Sequence, residues 1–183
     1  VENLLSQISY LKNHSKENIS QIENEIPHFN EIYNKYEALI RLEHKLDFDD
    51  MMLLCHQLLI QRPDIVQEYK KEIAHVLIDE YQDINPIQYE LVKKIVYPYN
   101  NLFVVGDDDQ SIYGFRGCNP GIMLAFKEEF SDGKIITFPL NYRCAKAIVD
   151  AAGRVISNNE KRFKKEIHAY KASNEKVKFI AFE

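Results

Sequence analysis

The sequence predicts an α/β fold: part of a parallel sheet flanked by helices, preceded by an N-terminal helical appendage. Three observations carry that expectation. Short apolar runs of strand type at 74–78, 102–105, 134–138 and 177–182 alternate with stretches of helical spacing. Three polar clusters, Asp79-Glu80, Gly106 to Gln110 and Asn141 to Arg143, follow such runs, and active sites in open parallel sheets lie at the carboxyl ends of the strands. From Leu4 to Ile40, by contrast, apolar residues recur at helical spacing (Leu4, Leu5, Ile8, Leu11, then Ile19, Ile22, Ile26, Phe29, Ile32, Tyr33, Tyr36, Leu39 and Ile40).

Pro27 divides that first region, because proline breaks a helix interior; one helix is expected before it and another starting near it. Asp47-Phe48-Asp49-Asp50 opens a helix through Leu59, and its first-turn acids suit the helix dipole. Pro63 starts a short helix to about Lys71. After the 74–78 strand a helix runs through Pro86, Tyr89, Leu91, Val92 and Ile95. The stretch from Ser111 to Gly117 is too glycine-rich for a regular helix and reads as a shaped loop. Helices over 120–130 and 145–157 complete the pattern.

The totals narrow the function classes. The chain has 183 residues, 45% hydrophobic and 28% charged, which is enough to form a core. A net charge of -5 gives no general argument for nucleic-acid binding. Acids crowd the first fifty residues and bases the stretch from Lys146 to Lys178, and both runs read first as solvated faces. Cys55, Cys118 and Cys144 are odd in number and far apart, so neither a disulfide framework nor a metal-binding pair is expected, and a reducing, cytoplasmic setting is. No membrane-length apolar run is present. The last strand runs to the final residues, from which an excised piece of a larger protein is expected.

Two adjacent carboxylates at the end of an apolar strand are costly unless a cation or a reaction needs them. Asp79 can serve magnesium, and Glu80 can orient and deprotonate an attacking water; a solvated strand end is the alternative. Asp107-Asp108-Asp109 invites a two-metal nuclease reading. Neighbours on a strand point to opposite faces, however, so the three are not expected to converge. The Gln110 amide can donate to a phosphate oxygen and accept from water, or be an ordinary loop amide. Tyr113 and Phe115, at alternate positions, can form a stacking platform for unpaired bases or belong to a core. Arg116 beside them can pair with a phosphate or an acid. Tyr142-Arg143 joins a flat ring, able to stack on a purine, to a fork of donors able to neutralise a phosphoryl group.

Taken together these segments resemble the superfamily I DNA helicases of the UvrD, Rep and PcrA type. The matching text is Leu46-Asp47-Phe48-Asp49-Asp50-Met51, then Val76-Leu77-Ile78-Asp79-Glu80-Tyr81-Gln82-Asp83 with Gln88-Tyr89 after it. Val104-Val105-Gly106-Asp107-Asp108-Asp109-Gln110-Ser111-Ile112-Tyr113-Gly114-Phe115-Arg116-Gly117 and Leu140-Asn141-Tyr142-Arg143 follow in the same order. The resemblance implies two RecA-like domains with ATP between them and single-stranded DNA across the top. It assigns 1–45 to the end of a helical insertion in the first motor domain, 46–138 to the C-terminal part of that RecA-like domain, and 139–183 to the start of the second. Residue by residue, it implies that Asp79 serves Mg2+, Glu80 activates water and Gln110 couples the γ-phosphate to DNA. Tyr113, Phe115 and Arg116 would contact DNA, Tyr142 would stack on adenine, and Arg143 would act as an arginine finger.

Three departures stand out. Phe115 occupies a position where the family commonly has tryptophan, and Cys144 one where it has Ser or Thr. The third is an absence: the 183 residues hold no Gly-x-x-x-x-Gly-Lys-Ser/Thr, the only Gly-Lys being Gly133-Lys134. The expectation is therefore the central part of an ATP-dependent 3′-to-5′ DNA helicase, acting on single-stranded DNA and duplex junctions and away from membranes. By itself this stretch is expected to be inactive. A non-hydrolysing DNA-binding relative and the motor part of a helicase-nuclease subunit remain as alternatives.

Overall fold

In a computed structural model the described residues are 2–13, 22, 25–114, 117–173, 176–178 and 180. The chain divides into two compact units, Val1–Met123 and Leu124–Glu183.

The first unit begins with helices α1 (Glu2–Asn13) and α2 (Phe29–Leu42). Their apolar stripes meet in a small core of Ile8, Leu11, Ile22 and the fully buried Phe29, with Leu4, Ile26, Tyr33 and Tyr36 packed around it. The expected helical appendage is present, and α2 starts beyond Pro27, after His28 in a left-handed conformation.

Helix α3 (Phe48–Gln61) opens with a capping box: the Asp50 N–H donates to Asp47 Oδ1 at 2.7 Å and the Asp47 N–H to Asp50 Oδ2 at 3.3 Å. The helix dipole is thus only part of the reason for its acids. Lys12, at the end of α1 and with a side chain 1% exposed, lies 2.7 Å from Asp47, 2.6 Å from Asp50 and 2.8 Å from Glu37 of α2. Burial alone would lower its pKa. The hydrogen bonds to Asp47 and Asp50 and the ion pair with Glu37 outweigh burial and raise it above the ordinary lysine range. Burial pushes Asp47 upwards in the same way, but the bonds from Lys12, the Asp50 N–H and Tyr36 hold it below its ordinary value. Tyr36, partly buried and donating to Asp47 Oδ2 at 2.7 Å, is pushed up to about 12. Asn13 donates to Asp49 at 2.7 Å, so the end of α1 is clamped onto the first turn of α3.

Helix α4 (Pro63–Glu72) carries its proline at the first turn. Strands β1 (Val76–Ile78) and β2 (Leu102–Val104) pair in parallel, in the register Val76↔Leu102 to Ile78↔Val104. Between them α5 (Pro86–Val96) is capped by Asn85 and Gln88, each side chain bonding the other's backbone N–H. The alternate residues Leu77 and Phe103 are 72% and 60% exposed, so these strands are covered on one face and open on the other. Helix α6 (Pro120–Leu124) follows.

The second unit holds α7 (Phe126–Glu129), β3 (Leu140–Ala145), α8 (Lys146–Ile156) and β4 (His168–Lys171). Strands β3 and β4 are parallel, with an irregularity between Asn141 and Ala145. The mixture of helices and short parallel sheets fits the expected α/β class.

Several expectations need correction. The helix over 120–130 is broken at Ala125, whose φ and ψ are -81° and 0°. No strand forms at 134–138: Ile135, Ile136 and Phe138 stay exposed and no parallel partner lies beside them among the described residues. The ladder starts instead at Pro139, whose carbonyl accepts from the His168 N–H at 2.7 Å. Apolar β-branched residues favour a strand only when another strand takes up their backbone groups. Of the expected strand at 177–182, residues 177, 178 and 180 are not in a strand and the others lie outside the described residues.

Candidate functional site

Strands β1 and β2 release their chains side by side. The ladder runs past the strands themselves, with Val105 N–H donating to the Ile78 carbonyl at 2.8 Å and Tyr81 N–H to the Val105 carbonyl at 2.9 Å. Asp79 and Glu80 therefore leave β1 directly beside Gly106 and Asp107 leaving β2.

Local chemistry shapes the first strand end. Asp79 Oδ1 accepts from the Glu80 N–H at 2.9 Å, and Glu80 turns left-handed at φ 52°, ψ 44°. Such a conformation costs a non-glycine residue roughly 1–3 kcal/mol and persists only where its surroundings impose it. The following 3₁₀ turn, Tyr81–Asp83, buries Tyr81 and Gln82 completely or nearly so. Gln82 Nε2 donates to Glu80 Oε2 at 2.8 Å, and Gln82 Oε1 accepts from the Asp107 N–H at 3.0 Å. The sequence reading gave Gln82 no role. Its signal was a polar side chain one turn beyond a strand whose odd and even positions are apolar, a place where a buried amide must find partners.

The second strand end is also a 3₁₀ turn, Asp108–Gln110. Asp107 caps it, accepting from the Asp109 N–H at 3.2 Å and from Gln110 Nε2 at 2.7 Å. This turn overturns one expectation. Asp107, Asp108 and Asp109 do converge, each offering an oxygen within 4.8 Å of the others, because the strand ends at Val104 and Asp107 caps a 3₁₀ turn, so the opposite-face alternation of a strand no longer holds there.

Gln110 is exposed. Tyr113 is 37% exposed. Gly114 has open space where a Cβ would stand. Phe115 and Arg116 lie outside the described residues. Asp79 is exposed, and its carboxylate is a hard oxygen donor of the kind magnesium takes, with one oxygen already used by its own turn. The donor set fits that ion.

Tyr142 and Arg143 belong to the second unit, described on its own. They are neighbours on β3 and both exposed. The Tyr142 ring leans on Tyr170 with centroids 5.0 Å apart at 41°. Asn141 Oδ1 accepts from the N–H groups of Arg143 and Cys144 at 3.0 and 2.8 Å, fixing the turn into α8. Ala145 caps α8 with no side-chain bond, and Cys144 lies one residue before that cap.

The family follows from a match across most of the chain. Residues 2–131 match the UvrD/REP helicase N-terminal domain. The chain belongs to that family. Among similar relatives, YjcD of Bacillus subtilis is 42% identical over 138 residues, covering 75% of this chain and 18% of its own length. DNA helicase II of Rickettsia typhi is 41% identical over 150 residues, 82% of this chain and 23% of the relative. ATP-dependent DNA helicase PcrA of Staphylococcus aureus is 36% identical over 148 residues, 81% and 20% respectively. The chain thus spans about a fifth of the length of these helicase relatives. Both strand ends of the first unit fall within the family match. Among the described residues no helix is long and apolar enough to cross a membrane.

Proposed function

We propose that this chain is a central part of an ATP-dependent DNA helicase that moves 3′ to 5′ along single-stranded DNA, its first unit belonging to a RecA-like motor domain. The observation that carries this reading is the adjacency of the two polar strand ends, Asp79-Glu80 and Asp107 to Gln110, within a UvrD/REP-type chain.

In this reading Asp79 holds Mg2+ and Glu80 is the general base. Bound magnesium supplies charge neutralisation for the phosphates of ATP. Glu80 accepts a proton from the attacking water at its carboxylate, whose direction is set by the left-handed backbone and the Gln82 bond. Gln110, one turn from Asp107, takes a hydrogen bond to the γ-phosphate. One N–H of its amide donates to Asp107, which leaves the second N–H for the phosphate. Tyr113, Phe115 and Arg116 contact unpaired bases and phosphates, Tyr142 stacks on adenine, and Arg143 neutralises the transferring phosphoryl group.

The 183 residues contain no phosphate-cradling loop, so this chain by itself is expected to turn over no ATP. The test is unwinding by the complete protein on partial duplexes with a single-stranded tail. ATP-dependent displacement from a 3′ tail, with little from a 5′ tail, is the expected result. DNA binding with neither ATP turnover nor displacement contradicts the proposal.

A further inference from the structure

The most connected buried polar side chain beside the proposed catalytic groups is Gln82, 1% exposed. Its amide spans the two strand ends: Nε2 donates to Glu80 Oε2 at 2.8 Å and more weakly to Asp83 Oδ2 at 3.4 Å, while Oε1 accepts from the Asp107 N–H at 3.0 Å. Its own carbonyl accepts from Ser111 Oγ at 3.2 Å, just past Gln110. Gly106 permits the approach, since a Cβ there would stand 2.6 Å from Gln82 Oε1.

We infer that Gln82 is a positioning residue: it sets the direction of the Glu80 carboxylate and links it to the 107–111 turn that carries Gln110. The inference rests on the reading of Glu80 as the general base. A primary amide is suited to this task because it donates and accepts at the same time. A rigid amide bonded to both strand ends cannot follow a shift of the Asp107 N–H without moving its donor away from Glu80. Gln110 Nε2 donates to the Asp107 carboxylate, and the Asp107 backbone N–H is the group Gln82 holds. A shift of the 107–111 turn would thereby reach the base through one side chain.

Kinetics of the complete protein, with ATP and single-stranded DNA, test this. Gln82→Ala should lower kcat about 10²-fold, the loss expected when a reacting group is misplaced by about 1 Å, with KM for ATP little changed. It should also reduce the ratio of DNA-stimulated to basal turnover. Gln82→Glu keeps the acceptor for Asp107 but, when ionised, cannot donate to Glu80. Its kcat relative to wild type should therefore rise as pH falls from about 8 to about 6 and the new carboxyl gains a proton. In a purely structural role kcat would recover only as the folded fraction does, which circular dichroism of Gln82→Glu over the same pH range reads. If Gln82→Ala does not fold, the pH profile of Gln82→Glu decides the matter. Active wild type with unchanged kcat in the variants, or with kcat and KM falling together and no pH-dependent recovery, overturns the positioning role alone. A wild type without turnover overturns the reading of Glu80, and this inference with it.

Discussion

Lys12 shows how much a single buried charge can organise. It faces three carboxylates within 2.8 Å and its side chain is 1% exposed. Removing one member of a buried ionic cluster leaves the others uncompensated, which costs about 3–5 kcal/mol. Lys12→Met should therefore lower the urea midpoint of the chain strongly, and equilibrium unfolding measures it. The same cluster gives stability a defined pH dependence. Asp47 is held below its ordinary value, so its contribution is present above about pH 4 and is lost as pH falls through the lowered value. Lys12 is raised, so its contribution is full below its ordinary 10.5 and fades as pH climbs beyond. Tyr36, raised to about 12, adds a loss over the interval from 10 upwards, because the folded state retains the phenolic proton. A plateau between these limits is the expected profile in wild type; in Lys12→Met the uncompensated carboxylates should make stability recover on mild acidification. On the functional side, Tyr113→Ala should weaken single-stranded DNA binding by about 1–3 kcal/mol if its ring stacks on a base, as fluorescence anisotropy with the complete protein would read.

At the scale of elements, caps decide where the helices beside the site begin. Asn85 caps α5 and also donates to Asn13 Oδ1 at 3.0 Å, joining the helix that follows the first strand end to α1. Asn85→Ala should cost about 0.5–2 kcal/mol by loss of the cap, with the larger figure expected here because Asn13 loses a partner as well. Thermal unfolding checks this. Strands β1 and β2 and their polar ends were legible in the sequence because the signal is local: an apolar run, then charge. Lys12 and its acids were not, since the bonded positions Asp47 and Asp50 are 35 and 38 residues away and already had a sufficient local explanation at the start of α3, while Glu37 read as part of a solvated acidic face. Strand β3 was misplaced for a related reason. The apolar run at 135–138 looked more strand-like than Asn141-Tyr142-Arg143, but pairing with His168–Lys171 decided which segment joined a ladder. The convergence of Asp107, Asp108 and Asp109 was hidden by assuming that strand alternation continued beyond Val104.

At the scale of the molecule, each unit carries a two-stranded parallel sheet, and the first leaves Leu77 and Phe103 open to solvent on one face. Two parallel strands with an open apolar face form a surface that other strands or apolar groups can cover. The chain alone should accordingly self-associate with rising concentration in sedimentation velocity; a monomer at high concentration contradicts this. The helicase family was legible because its long third segment, from Val104 to Gly117, combines strand, turn and aromatic residues in one continuous string.

The central claim is that Asp79 and Glu80 form the hydrolytic end of an ATP site. The direct measurement compares wild type and Glu80→Gln in the complete protein, reading ATP binding and DNA-stimulated hydrolysis in parallel. Glu80→Gln should keep ATP binding and abolish hydrolysis. Normal turnover by Glu80→Gln would contradict it.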